Sequence, residues 1–173
     1  GLLMDRKGND TYLCQAQAQG FGFTRGVGAL SDWEGNDSYI TSSPFLDYLR
    51  YQDHFIAFSQ GAGLGYRPVA SGGVGLLCDY QGNDVYQSDI YGQGTAYWYA
   101  LGLLYDESGN DKYWAHQYAQ GAGIHLAHGI AWDKQGNDIY HAHGVSQGCG
   151  HDIAFGALLN QEGDDSYHAY GLS

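Results

Sequence analysis

The sequence is poor in positive charge. Lys plus Arg total 7 of 173 residues against 19 Asp plus Glu, a formal net charge of −12. That balance argues against nucleic acid and anionic membrane as partners, because neither attracts such a chain. No run of 18 apolar residues occurs, so no segment reads as a membrane-spanning helix. No C-x-x-C or H-E-x-x-H spacing and no nucleophile-elbow motif is present, which removes the strongest sequence signs of a zinc site or a serine hydrolase. Only three cysteines appear (Cys14, Cys78, Cys149), at unrelated places; an odd count leaves at least one thiol unpaired and shows no disulfide framework. Neither end carries a signal peptide or a capping helix, so the chain reads as one β-rich segment of a longer protein.

Glycine (28) and tyrosine (16) are abundant, and they recur on a count. Gly1, Gly28, Gly75, Gly102, Gly129 and Gly156 open successive units; four of the five spacings are 27 residues and one is 47. Each unit reads approximately G-φ-φ-x-D-x-x-G-N-D-x-Y and continues to Q-G. Unit position 5 is Asp5, Asp32, Asp79, Asp106 and Asp133, with Asn160 in the last unit. Position 10 is Asp10, Asp37, Asp84, Asp111, Asp138 and Asp165, and position 12 is Tyr12, Tyr39, Tyr86, Tyr113, Tyr140 and Tyr167.

A 27-residue unit is too short for a helical hairpin repeat or a propeller blade. Frequent glycine also disfavours helix, by about 1 kcal/mol per residue relative to alanine. Short Leu-, Ile-, Val- and Tyr-rich segments between Gly-Asn-Asp turns read as strands. The fold expected is an all-β single β-solenoid of about six coils, with equivalent positions stacked about 4.8 Å apart. Leu3, Leu30, Leu77, Leu104, Ala131 and Leu158 then stack inside. The tyrosines form an aromatic ladder, and Gln19, Gln60, Gln93, Gln120 and Gln147 form a ladder of side-chain amides.

Residues 41–58 and 62–74 interrupt the second coil. In "SSPFLDYLRYQDHFIAF" (42–58), Ser43 can cap and Pro44 can begin a short helix packed on the flank. The same segment can instead dock a partner through Phe45, Leu46, Tyr48, Leu49 and Phe55, since insertions in solenoids lie on the binding face.

Stacking brings the position-5 and position-10 carboxylates into one seam. Unit charges 4.8 Å apart repel by about 1 kcal/mol in water and about 3.5 kcal/mol at an effective dielectric of 20. Two answers are open. Each carboxylate can accept N–H groups of its own turn. Or Ca²⁺ can sit between coils on Asp5, Asp10, Asp32, Asp37, Asp79, Asp84, Asp106, Asp111, Asp133, Asp138 and Asp165, oxygen ligands that suit a hard cation. The "GNDTY", "GNDSY", "GNDVY", "GNDKY" and "GDDSY" turns resemble those of the RTX calcium-binding β-roll, a secreted bacterial family, which implies bound Ca²⁺ and an extracytoplasmic setting. The likeness covers about five residues per coil. RTX turns follow a nine-residue period, and the second turn it would require is replaced here by Tyr91, Tyr118 or Val145 and then Gln. The longer pattern also resembles repeats of uncharacterised exported bacterial proteins.

His141 and His168 share position 13, and His116 and His143 share position 15, so the four form one patch able to hold a transition metal; the plain alternative is an exposed face that tolerates histidine. An enzyme would need acid/base groups in a groove walled by irregular loops, for which the insertion offers Asp47, Arg50, Asp53 and His54, and "GCGHD" offers Cys149, His151 and Asp152. An ice-binding face would want a regular Thr or Asn column, which position 11 (Thr11, Ser38, Val85, Lys112, Ile139, Ser166) does not supply. The function expected is therefore a non-catalytic structural or interaction module of an extracytoplasmic assembly, Ca²⁺-stabilised or not, whose partner is a protein or a second copy stacked end to end. A carbohydrate-active or glycan-binding β-helix is the rival.

Overall fold

The structure, a computed structural model, describes residues 1–171. The first coil holds β1 (Leu2–Met4), β2 (Thr11–Cys14) and β3 (Gly22–Phe23), and the second β4 (Val27–Asp32), β5 (Ser38–Thr41) and β6 (Gly63–Leu64). The third holds β7 (Val74–Asp79), β8 (Val85–Gln87) and β9 (Ala96–Tyr97); the fourth β10 (Leu101–Asp106), β11 (Lys112–Trp114) and β12 (Gly123–Ile124). The fifth holds β13 (His128–Asp133), β14 (Ile139–His143) and β15 (Gly150–His151), and the last β16 (Phe155–Asn160) and β17 (Ser166–Tyr170). Each coil contributes one strand to each of three parallel sheets, in the order β1-β4-β7-β10-β13-β16, β2-β5-β8-β11-β14-β17 and β3-β6-β9-β12-β15. The chain is a β-solenoid, and among the described residues there is no helix, hence none long and apolar enough to cross a membrane.

Register follows the repeat. Leu30 pairs with Leu77, Leu77 with Leu104 and Leu104 with Ala131, so equal unit positions are neighbours even across the 47-residue coil. In β4, β7, β10 and β13 every second residue is buried, which turns a glycine, an aliphatic residue and an aspartate inward from each strand. From the second sheet the tyrosines enter the same space. Their rings lie 4.6–5.0 Å apart, centroid to centroid and nearly parallel, from Tyr12 to Tyr167. Tyr39, Tyr86, Tyr113 and Tyr140 are fully buried and form one core with Leu30, Leu77 and Leu104.

The glutamines do not form an amide ladder. Gln93 takes a left-handed conformation (φ 58°) at the corner, and its amide reaches inward to the carbonyls of Tyr86 in its own coil and Trp114 in the next, 2.9 Å each. Gln19, Gln60 and Gln120 repeat the arrangement. Each amide thereby satisfies two backbone carbonyls at the corner, which an amide-to-amide ladder would leave without that donor. Gly94 follows with φ 74°, and a Cβ there would overlap the Ile130 carbonyl, so only glycine closes this corner.

The insertion at 42–58 is not helical. The Ser43 hydroxyl accepts the Phe45 N–H as a cap would, but the chain then turns back, with Leu46 bridged antiparallel to Phe55 and the Asp47 N–H on the His54 carbonyl. Its two arms pair with each other, so backbone groups that a helix would bond internally are satisfied across the turn. The chain rejoins the stack at Ile56, which bridges Ile90 of the next coil, and is in the repeat's register by Gly63, which pairs with Ala96. The second insertion is also a tight return, with Tyr66 bridged to Ala70 and Arg67 lying over Trp98.

Candidate functional site

The acidic seam is built from two kinds of carboxylate. At position 5, Oδ2 accepts a tyrosine hydroxyl from the preceding coil: Tyr12 to Asp32, Tyr39 to Asp79, Tyr86 to Asp106 and Tyr113 to Asp133, at 2.5–2.7 Å. Its Oδ1 accepts an N–H of its own turn in Asp5, Asp79 and Asp106. At position 10 the partner lies in another coil, because Oδ1 of Asp37, Asp84, Asp111, Asp138 and Asp165 each accepts the position-10 N–H of the coil before. Own-turn bonding therefore holds for Asp5, Asp79 and Asp106, and coil-to-coil bonding replaces it at position 10. Outside this seam Asn36, Asn83, Asn110 and Asn137 form an exposed asparagine ladder at position 9.

Inside, acceptors face acceptors. Oxygens of Asp37, Asp79 and Asp84 converge within 4.8 Å, and so do those of Asp10, Asp32 and Asp37, of Asp84, Asp106 and Asp111, and of Asp111, Asp133 and Asp138. Oδ2 of Asp10, Asp37, Asp84 and Asp111, and Oδ1 of Asp32 and Asp133, have no partner although they are buried. Burial, followed by neighbouring carboxylates, pushes the position-10 acids up: Asp37 to about 6, Asp84 to about 8, Asp111 to about 9 and Asp138 to about 7. Asp79 rises to about 7, and Asp106 and Asp133 rise as well. The donor set fits Ca²⁺ poorly, since that ion takes six to eight oxygen ligands, whereas one oxygen of Asp37, Asp84, Asp111 and Asp138 already holds an N–H and one oxygen of Asp32, Asp79, Asp106 and Asp133 a tyrosine hydroxyl. Protons suit the geometry better, each shared among the carboxylates of one converging group and answering an oxygen that has no other partner.

A second site lies where the long insertion crosses the stack. His54 Nδ1 meets Asp89 Oδ1 at 2.8 Å, and Asp89 Oδ2 accepts the Phe55 N–H at 2.6 Å. The His54 ring stacks on His116 at 3.5 Å between centroids, and His116 lies 5.0 Å from His143. Tyr51 sets its edge against both His54 and His116 and donates its hydroxyl to Gln117 Oε1. Arg50 spans Asp47 and the Tyr91 hydroxyl. His54, Asp89, His116 and His143 border a cleft of about 550 Å³ completed by Trp114, Ser88 and His141. Burial, followed by His54 and His143, lowers the His116 pKa to about 4. Burial raises that of Asp89, against the opposing hydrogen bonds of Phe55 and His54.

The four histidines expected as a patch do share one face, with His141 6.0 Å from His143 and from His168. The metal-ligating atoms that converge, however, belong to His54, Asp89 and His116. His54 was named from the sequence only as an acid/base candidate, and its place beside His116 could not be read because the insertion has no register in the repeat; Asp89 was not singled out, although the period puts it at position 15 with His116. At the far corner Asp152 pairs with His125 at 2.6 Å and His151 at 3.4 Å, and Arg67 closes on His125. All three cysteines are free, and burial raises the Cys14 and Cys78 thiols, which makes them poor nucleophiles. No protein-family model, curated protein or solved structure matches the chain.

Proposed function

We propose that the chain is a non-catalytic structural and interaction module: a stiff rod, neutralised internally by protons, that presents its insertions to a partner outside the cytoplasm. One observation carries the reading. The acids, tyrosines and glutamines of the repeat are committed to bonds between coils, whereas Phe45, Tyr48 and Leu49 of the insertion stand out at 76%, 75% and 98% exposure. Apolar side chains gathered at one projecting tip are what a protein surface, or a second copy, covers. The extracytoplasmic setting is supported by the likeness of the G-N-D-x-Y turns to those of secreted repeats and by the acidic composition.

Glycan binding is the second reading, favoured by the half-exposed Trp114 ring beside Asp89 and His54 in the cleft. Hydrolysis is disfavoured, because a glycosidase flanks its bond with two carboxylates and Asp89 is the one carboxylate lining the cleft among the described residues. The test pairs sedimentation of the whole chain, with and without Phe45→Asp plus Leu49→Asp, with an assay for released reducing sugar over neutral and acidic polysaccharides. Association lost in the double variant, without sugar release, is the expected result. Sugar release abolished by Asp89→Asn would replace the module with an enzyme.

A further inference from the structure

The cleft concentrates ligands that the repeat has no use for. The acids of the seam close on one another, and the His125–Asp152 pair is capped by Arg67. In the cleft, by contrast, a nitrogen of His54, a nitrogen of His116 and an oxygen of Asp89 lie within 4.8 Å of one another beside open solvent, with His143 and His141 next along the wall. We propose that this cleft binds a divalent transition metal of the zinc class through His54, His116 and Asp89, with the position toward the cleft taken by His143 or by water.

The donor chemistry selects the ion. Two imidazoles and one carboxylate suit zinc and its neighbours, and three protein ligands with an open position form a common arrangement for such a metal. Ligand atoms about 2.1 Å from one ion stand about 3–4 Å apart, so a set already inside 4.8 Å needs only side-chain adjustment. The Phe55 N–H holds Asp89 through Oδ2, and Asp89 Oδ1 already stands 2.8 Å from His54 Nδ1, so a metal would take the place of the proton between these two atoms.

Binding also requires movement. The His54 and His116 rings lie face to face, 11° from parallel, and parallel rings cannot aim both in-plane lone pairs at one ion. One ring must turn. Tyr51 blocks the rings edge-on from the insertion side, and the cleft leaves room on the other. The competing account is that these rings merely continue a stack, since His143 also lies 4.9 Å from Tyr170. The proposal does not depend on the scaffold reading, because a rod of either function can carry the site.

The experiment is calorimetric titration of the whole chain, stripped by chelator and dialysed, with zinc chloride, repeated on His54→Ala, His116→Ala, Asp89→Asn and His168→Ala. Loss of an orienting partner alone weakens metal affinity about 10–100-fold. The two histidine variants should therefore lose more than about 100-fold, and Asp89→Asn at least about 10-fold. His168→Ala, on the exposed end of the same face, should bind as the parent does. Cobalt loading should give visible d–d bands with no thiolate charge-transfer band, placing the metal away from Cys14, Cys78 and Cys149. Should a variant misfold, imidazole NMR of the unaltered chain decides: zinc should move the His54 and His116 resonances and leave His128 in place. No saturable uptake, equal uptake in His54→Ala and His168→Ala, a thiolate band, or unmoved His54 and His116 resonances would each overturn the site.

Discussion

Replacing Tyr86 by Phe removes one oxygen from the middle of the rod and leaves everything else in place. The ring is fully buried, 4.9 Å from Tyr39 and 4.7 Å from Tyr113, and a Phe ring keeps both stacks. What disappears is the hydroxyl donated to Asp106 Oδ2 at 2.6 Å. Asp106 is buried and would keep only the Ser108 N–H on its other oxygen, at 3.2 Å. A buried acceptor that loses its donor costs its desolvation penalty, about 1–3 kcal/mol. In a domain of this size 1 kcal/mol moves Tm by about 2–4 °C, so the variant should melt about 2–12 °C lower. Circular dichroism at pH 7 reads the shift, with the exposed Tyr99→Phe as control. A Tm within about 1 °C of the parent would refute the idea that Tyr–Asp bonds between coils hold the stack.

Other outcomes follow from the same geometry. Asp106→Asn copies the last coil, where Asn160 reaches Asp138 Oδ2 at 3.3 Å. It replaces a buried ionisable group with a donor for Asp84, whose Oδ2 has no partner, so urea melts at pH 5 and pH 9 should differ less than in the parent; an unchanged difference would contradict the shared proton. Gly94→Ala places a Cβ on the Ile130 carbonyl at φ 74° and should cost more than about 2 kcal/mol in the same assay. Leu49→Asp, at a tip that touches little, should change stability by less than about 0.5 kcal/mol while weakening any association seen by sedimentation.

The regular part of this fold could be read from the chain because a solenoid maps sequence period directly onto spatial neighbours. Leu30, Leu77 and Leu104, or Tyr39, Tyr86 and Tyr113, had to be stacked once the period was known, and they are. The acids were found for the same reason. Their bonding was not, since a repeat specifies which residues are adjacent and says nothing of which oxygen meets which donor. Asp84 could bond its own turn or its neighbour's, and the position-10 acids take the neighbour's. Gln93 failed as a ladder member because its left-handed corner aims the amide at carbonyls rather than at other amides. The insertion was the least legible. Ser43-Pro44 is a genuine helix-start signal, yet the contacts that decide, Tyr51 on Gln117 and His54 on Asp89, join residues 66 and 35 positions apart with no period to predict them.

The most direct test is a thermal melt followed by circular dichroism at pH 5, 7 and 9, each with and without excess EGTA. A carboxyl whose pKa is higher in the folded protein binds its proton more tightly there. Its stabilisation is complete below the unfolded value, about pH 4, and is lost as pH climbs through the folded one. With Asp37 at about 6, Asp79 and Asp138 at about 7, Asp84 at about 8 and Asp111 at about 9, the loss spreads over the whole range from pH 5 to pH 9. A seam held by protons predicts a Tm that falls steadily with rising pH and does not respond to EGTA. A Tm that rises with pH, or drops in EGTA and is restored by Ca²⁺ but not Mg²⁺, would contradict it and make the seam a calcium site.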